Sequence, residues 1–199
     1  MKNLPFSESC EQNKNPILAI LSEAFADKKN VLEIGSGTGQ HAIYFGQMLP
    51  HLTWQTSDLA ENHDTIRAWL ETSKLSNVLP PLLIDANNPD WHLPNNPDAI
   101  FSANAVHIMG WPEVENLFTG IGRNLKPGGL LCLYGPFNYG GKYTSMSNAQ
   151  FDEMLKTYDP KSGIRDFEAM DKLANLQGLK LVQDFAMPAN NRTLIWKKT

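Results

Sequence analysis

The 199-residue chain predicts an α/β domain: a mostly parallel, seven-stranded sheet with an antiparallel C-terminal strand and helices on both faces. Three observations point there. Short apolar runs, several ending at an acid, alternate with stretches of helical length, the pattern of repeated βαβ units. Glycines follow the first apolar run at every second position, at 35, 37 and 39. Residues 179–185 and 193–196 follow one another across a short polar segment and close the sheet as an antiparallel pair.

The elements follow in order. Asn15 and Pro16 open a helix that runs to about Phe25, because Asn caps well and Pro fits a first turn. Residues 30–34 form the first strand, and a helix follows to Met48. Residues 53–57 alternate and end at Asp58, a second strand, and 61–73 read as a helix. Leu82, Leu83 and Ile84 make a third strand, closed by Asp85. Residues 98–102 are a fourth strand and 113–124 a helix. Lys126, Pro127, Gly128 and Gly129 turn the chain into a fifth strand over 130–134, and 147–156 and 167–176 are helical. In such sheets a ligand sits beyond the carboxyl ends of the strands, near the reversal of strand order. The chemistry is therefore expected just after strands one to five.

The loop after strand one is the most specific feature. Glu33, Gly35, Ser36, Gly37 and Gly39 spell Glu-x-Gly-x-Gly-x-Gly, with a helix starting at Gln40. Glycines let the backbone turn sharply and approach a ligand, and the helix start offers free N–H groups. The dinucleotide fingerprint needs its third glycine where Gln40 stands. The pattern present resembles motif I of the class I S-adenosylmethionine (SAM) methyltransferases, whose fold is Rossmann-like. A carboxylate at Glu33 suits a cationic amino-acid ligand and would repel a pyrophosphate. Asp58 ends strand two and is placed to accept from both ribose hydroxyls, with Leu59 beside it; the plainer reading of Asp58 is a helix cap. Asp85 and Ala86 follow strand three, where class I methyltransferases commonly meet the adenine amino group; by themselves they make a good turn.

The acceptor end is less specific. Asn104 follows strand four, where acceptor chemistry is usually placed, and His107 is a candidate general base because imidazole titrates near neutrality. A packed, hydrogen-bonded histidine is the plain alternative. The sequence has Asn104-Ala105-Val106-His107 in place of the Asn-Pro-Pro-aromatic of adenine-N6 and amide enzymes, and no cysteine there for cytosine-C5 chemistry. Tyr139, in the aromatic and glycine-rich stretch 135–145, is a candidate for the acceptor-pocket rim. Trp54, Trp69, Trp91, Trp111 and Trp196 read as core anchors, since nothing basic interleaves them.

Composition excludes several classes. Hydrophobic residues are 42%, charged residues 19%, and the net charge is -4, without a basic block, so no nucleic-acid footprint is expected. Cys10 and Cys132 make neither a disulfide framework nor a zinc pair, and no metal site is expected. The N-terminus lacks a signal-peptide core and no run is long enough for a membrane span, so the expected location is the reducing cytoplasm.

Several segments carry a closer resemblance: Glu11 to Leu18, Leu32 to His41, Tyr134-Gly135-Pro136-Phe137, Ser147-Asn148, Gly163-Ile164-Arg165-Asp166 and Met187-Pro188-Ala189-Asn190-Asn191. Together they resemble the methyltransferase-like protein 26 family, small class I methyltransferase-like proteins of unknown substrate. The resemblance implies SAM as cofactor. It also brings forward Asn13 and Lys14 as part of a cofactor lid over residues 1–15, and Arg165 and Asp166 as an acceptor-facing cluster. Residues 5–14 are polar and show no clear apolar period, so they are expected to be mobile until SAM or its product binds. The expected function of the single domain is methyl transfer from SAM to a small molecule; the rivals are a SAM-binding regulatory protein without catalysis and a protein methyltransferase.

Overall fold

The computed structural model describes residues 4–199; the first three positions of the expected lid lie outside the described residues. The elements run α1 (Glu8–Ala24), β1 (Asn30–Ile34), α2 (Gln40–Met48), β2 (Thr53–Asp58), α3 (His63–Ser73), β3 (Val78–Leu83), β4 (Ala99–Ala103), α4 (Trp111–Asn124), β5 (Leu130–Gly135), β6 (Phe137–Asn138), α5 (Met146–Tyr158), β7 (Arg165–Asp166), α6 (Phe167–Leu176), β8 (Leu179–Met187) and β9 (Asn191–Lys198). Among the described residues, seven strands form one sheet in the order β3-β2-β1-β4-β5-β9-β8. The first five are parallel to their neighbours, β9 is antiparallel to β5, and β8 is antiparallel to β9. Strand order reverses between β1 and β4, which opens a crevice at their carboxyl ends.

Successive residues of the central strands feed opposite faces, which is why those strands read as unbroken apolar runs. Ile100, Leu131 and Trp196 pack with Val114, Leu117 and Phe118 of α4 on one face. Phe101, Cys132 and Ile195 pack with Ile17 and Leu21 of α1 and Phe45 of α2 on the other. There Phe45 meets Phe101 edge-on at 5.6 Å and Trp54 at 5.5 Å.

Three elements depart from the sequence reading. The first helix begins at Glu8, seven residues before Asn15. Ser7 caps it by accepting from the Cys10 N–H, and Glu8 and Glu11 stand in its first turn, where acids suit the helix dipole. Its buried face is Asn13, Ile17 and Leu21, at helical spacing; an asparagine in the first of those places hides the apolar period. Pro16 lies inside the helix rather than at its start. Residues 8–14 thus belong to the first helix, with Asn13 their buried residue. The third strand is Val78–Leu83 and includes Pro80 and Pro81, which a sheet edge tolerates. The short pair of Phe137–Asn138 with Arg165–Asp166 was not foreseen.

Candidate functional site

A cleft of about 480 Å³ opens at the carboxyl ends of β1, β2 and β4. Of the residues singled out in the sequence, Gly35, Ser36, Gly37, Asp58, Leu59, Asp85, Ala86 and Asn104 line it. The glycine loop is shaped by backbone conformations that L side chains resist: φ is +71° at Gly35, +56° at Gly37 and +91° at Gly39. A Cβ on Gly35 would sit 3.2 Å from the Cβ of Ala105, so glycine lets the loop close against the segment after β4. Gly39 lies behind the loop, where a Cβ would come within 3.2 Å of the Ile66 Cα.

Asp58 organises the loop. Its Oδ2 accepts from the Gly37 N–H at 2.7 Å, and its Oδ1 accepts from the Leu59 N–H at 2.7 Å and the Asn62 amide at 2.8 Å. It is thus more than a cap for the next helix. Asp85 turns the chain after β3, its Oδ1 accepting from the backbone and side chain of Asn87 at 2.8 and 2.9 Å. Asn104 has φ +58°, a left-handed conformation that asparagine tolerates, and its N–H donates to Tyr134 O at 2.9 Å.

Glu33 does not reach the cleft. It is buried beneath the loop, and its Oε2 accepts from Ser36 Oγ at 2.9 Å and Trp54 Nε1 at 3.1 Å. Burial pushes its pKa up to about 7, against the pull of those two donors. Asn13 also lies behind the wall. Its Oδ1 accepts from His41 Nε2 at 2.7 Å, which leaves His41 Nδ1 to accept from the Cys10 thiol at 3.8 Å. His41 and Cys10 do line the cleft, as does Ser7. The N-terminal arm is held there by the Trp69 indole, which donates to Pro5 O at 2.8 Å.

His107 and Tyr139, the candidates for acceptor chemistry, are outside the cleft lining. His107 is buried behind Asn104 with Nδ1 unpartnered, its ring edge-on to Phe151 at 5.3 Å. Burial, and then the Arg165 charge, pull its pKa to about 4. Tyr139 turns away, donating to Asp184 Oδ2 at 2.9 Å and stacking on Phe167. Burial and Asp184 push its phenol up to about 12, so it is poorly suited to act as a base. Arg165 ties down the loop after β4 through the carbonyls of Val106, Met109 and Lys161. Asp166 pairs with Asn138 in the small sheet. The sequence reading missed Met109 and Glu113 in the cleft lining; their position after strand four was the available signal.

The buried titratable groups give a testable pH dependence. Folded, His41 and His107 stay unprotonated down to about pH 4; unfolded, they take up protons near 6.5. The unfolded chain then binds more protons in that window, and stability falls as pH drops through it. Glu33 opposes this, keeping its proton to about pH 7 when folded and losing it near 4.5 when unfolded. Its contribution is full below 4.5 and is lost as pH rises to 7. Two histidines against one carboxyl leave about one proton, so roughly 2–3 kcal/mol should be lost between pH 6.5 and 4.5. Urea unfolding across that range measures it, and Glu33→Gln should steepen the slope to about two protons. A flat profile in both proteins would contradict the burial of the two rings.

Comparison with known proteins agrees with this architecture. A fatty-acid O-methyltransferase of Mycolicibacterium smegmatis is 27% identical over 98% of this chain and 69% of its own length. An O-methyltransferase family protein from Burkholderia thailandensis superposes with a TM-score of 0.84 at 17% identity, over 96% of this chain and 58% of that one. Human N-acetylserotonin methyltransferase, solved in complex with SAM, superposes with a TM-score of 0.79 at 16% identity, over 96% of this chain and 53% of that one. The chain thus spans little more than half the length of these solved structures. At such identities the likeness shows the fold, that of the class I SAM methyltransferases. A family model matches from residue 4 to residue 198, and the chain belongs to that family, described as Protein of unknown function (DUF938).

Proposed function

We propose that this protein is a SAM-dependent methyltransferase acting on a small-molecule acceptor. The observation that carries the reading is one continuous cleft joining the Gly35–Gly37 loop, Asp58, Asp85 and Asn104 at the reversal of strand order. Its volume suits a ligand made of a nucleoside and an amino acid. The segment resemblances to the methyltransferase-like protein 26 family and the names of the relatives support the same reading.

The residues present fit SAM. Asp58 keeps one acceptor site, on Oδ2, for a ribose hydroxyl beyond the three that hold the loop, and Asp85 and Ala86 would flank adenine. Glu33, beneath the loop, would act on a cationic ligand through its charge rather than by contact, and such a ligand would draw its pKa back down. When bound, SAM supplies an electrophilic methyl group on a sulfonium. The protein's part is to align an acceptor near Asn104, keep water out, and provide a neutral imidazole at His107 once the wall in front of it moves. Ser7, Ser9 and Cys10 already form part of the cleft wall, which suits a lid.

The rival, a SAM-binding protein without catalysis, draws support from the placement of His107 and Tyr139 outside the cleft. Calorimetric titration with SAM, S-adenosylhomocysteine (SAH) and NAD tests the cofactor. Saturable binding of the first two and none of NAD is expected; NAD binding without a response to the SAM pair would sink the reading. Hydrogen exchange tests the lid. Added protection at 5–10 together with 35–39 on SAH binding is expected, whereas protection confined to 35–39 would make the arm a fixed wall.

A further inference from the structure

A second cavity, of about 170 Å³, adjoins the cleft, with Cys10 in the wall of both. It lies between α1 and α2. Glu11 and Lys14 come from the first helix, Gln40, Ile43 and Tyr44 from the second, and Trp69 from α3. Gln40 is the side chain that points to a ligand. It is 8% exposed. Its Oε1 accepts from the Ser7 N–H and, at 3.1 Å, from the Thr38 hydroxyl, and both of those residues belong to the cleft wall. Two donors on one atom fix which end of the amide is oxygen. Nε2 is left to the second cavity, and among the described residues no acceptor meets it. A buried amide donor without an acceptor carries a cost that a ligand oxygen would relieve.

Charge and apolar surface say which ligand. Glu11 and Lys14 are the oppositely charged side chains of the cavity wall. They pair across one helical turn, and Lys14 Nζ lies 5.0 Å from the centre of the Tyr44 ring. A partly exposed pair of this kind contributes little, so it opens to a ligand at small cost. A simple anion would be opposed by Glu11 and a simple cation by Lys14. A zwitterion meets each with the opposite charge. Ile43, Tyr44 and Trp69 supply apolar wall for its remaining atoms.

We propose that this cavity is a second ligand site, for an α-amino acid with an apolar side chain. Its carboxylate accepts from Gln40 Nε2 and Lys14, its ammonium group pairs with Glu11, and its side chain lies against Ile43, Tyr44 and Trp69. The amino acid binds and does not react. Its effect passes through Gln40, which ties Ser7 of the N-terminal arm to Thr38 of the glycine loop. Held at both ends of its amide, Gln40 keeps the arm against the cleft, so filling the second cavity tightens binding in the first. That consequence, unlike the site itself, rests on the cofactor reading above.

The test titrates the whole chain with L-leucine, alone and saturated with SAH, and follows backbone amide shifts. Saturable shifts are expected at residues 10–14 and 40–47 and at Trp69, with a Kd below about 1 mM, and they should persist with SAH bound. No saturable shift, or displacement of SAH by L-leucine, would overturn the proposal. L-Leucinamide lacks the carboxylate and N-acetyl-L-leucine lacks the ammonium group, so each should bind about tenfold more weakly. Equal binding of either would rule out recognition of a zwitterion. Gln40→Glu keeps an oxygen for Ser7 and Thr38 but sets like charge against the carboxylate, and Lys14→Gln removes the cation. Each should weaken L-leucine binding about tenfold, and unchanged affinity in either folded variant would overturn the assignment. Calorimetry reads the coupling: SAH should bind about fivefold more tightly with L-leucine present. L-Leucine binding that leaves SAH affinity unchanged would remove the link through Gln40. Failure of SAH to bind at all would strike the cofactor reading, and the titration without SAH would still decide the second site.

Discussion

Gly39→Val is expected to destabilise the folded protein by about 2–5 kcal/mol, more than any other single change in the glycine loop. A β-branched residue at φ +91° is strained by roughly 1–2 kcal/mol. Its Cβ would also come within 3.2 Å of the Ile66 Cα, a backbone atom that cannot swing aside. Overpacking of that kind adds about 1–3 kcal/mol. At this chain length the melting temperature should fall by roughly 5–20 °C. Gly37→Val makes the contrasting case. Its φ of +56° brings similar strain, but a Cβ there meets nothing within 4 Å. Gly37 lines the cleft, so the cost should appear mainly as lost SAH binding. Thermal melts and SAH titrations of the two variants should separate, Gly39→Val losing fold and Gly37→Val losing ligand. Equal loss of stability in both would show that the contact with Ile66 matters little.

Asp58→Ala is expected to weaken SAH binding by about a hundredfold or more and also to lower stability. The carboxylate holds the Gly37 N–H, the Leu59 N–H and the Asn62 amide, so its removal loosens the loop before any ligand arrives. Lost charge-assisted bonds to a ligand cost roughly 1.5–3 kcal/mol each, one to two decades in affinity, and a displaced loop adds to that. The donors left behind reach solvent in part, which should keep the stability loss to about 1–3 kcal/mol. Asp58→Asn keeps one accepting oxygen, for Gly37 or for Leu59 and Asn62, while its NH2 faces the donors on the other side. The asparagine variant should therefore lose stability as well, by no more than the alanine variant, and bind SAH poorly. Normal SAH affinity in both variants would reduce Asp58 to a support for the loop.

The sheet was legible because buried parallel strands are written as continuous apolar runs. The strands at 30–34 and 130–135 were read to within a residue, and the antiparallel closure at the C-terminus was also evident. The misread elements each had a physical disguise. Pro80 and Pro81 mask a strand that survives because it lies at the sheet edge. Asn13 takes a core position of the first helix by bonding His41, so the apolar period starts too late in the sequence.

The cofactor side of the site was legible because glycine spacing and strand-terminal acids are local signals. Glu33 shows the limit of that. Its place at the end of β1 was correctly read, but its burial depends on Trp54 and Ser36 closing over one oxygen, a tertiary event. The acceptor side was scarcely legible. Tyr139 was singled out by residue type, and its hydroxyl bonds Asp184 on a distant strand. Glu113 reads locally as an ordinary capping residue, and only the fold brings it to the cleft with Met109.

The central claim is that the ligand site is the crevice between β1 and β4, and backbone amide chemical shifts during titration with SAH test it most directly. Saturable shifts are expected at residues 35–39, 58–59, 85–86 and 104–105, with little change at the amino ends of the strands, where Asn30 and Thr53 border a cavity of only about 60 Å³. Shifts gathered around Asn30 and Thr53, or no saturable shift at 35–39, would contradict it.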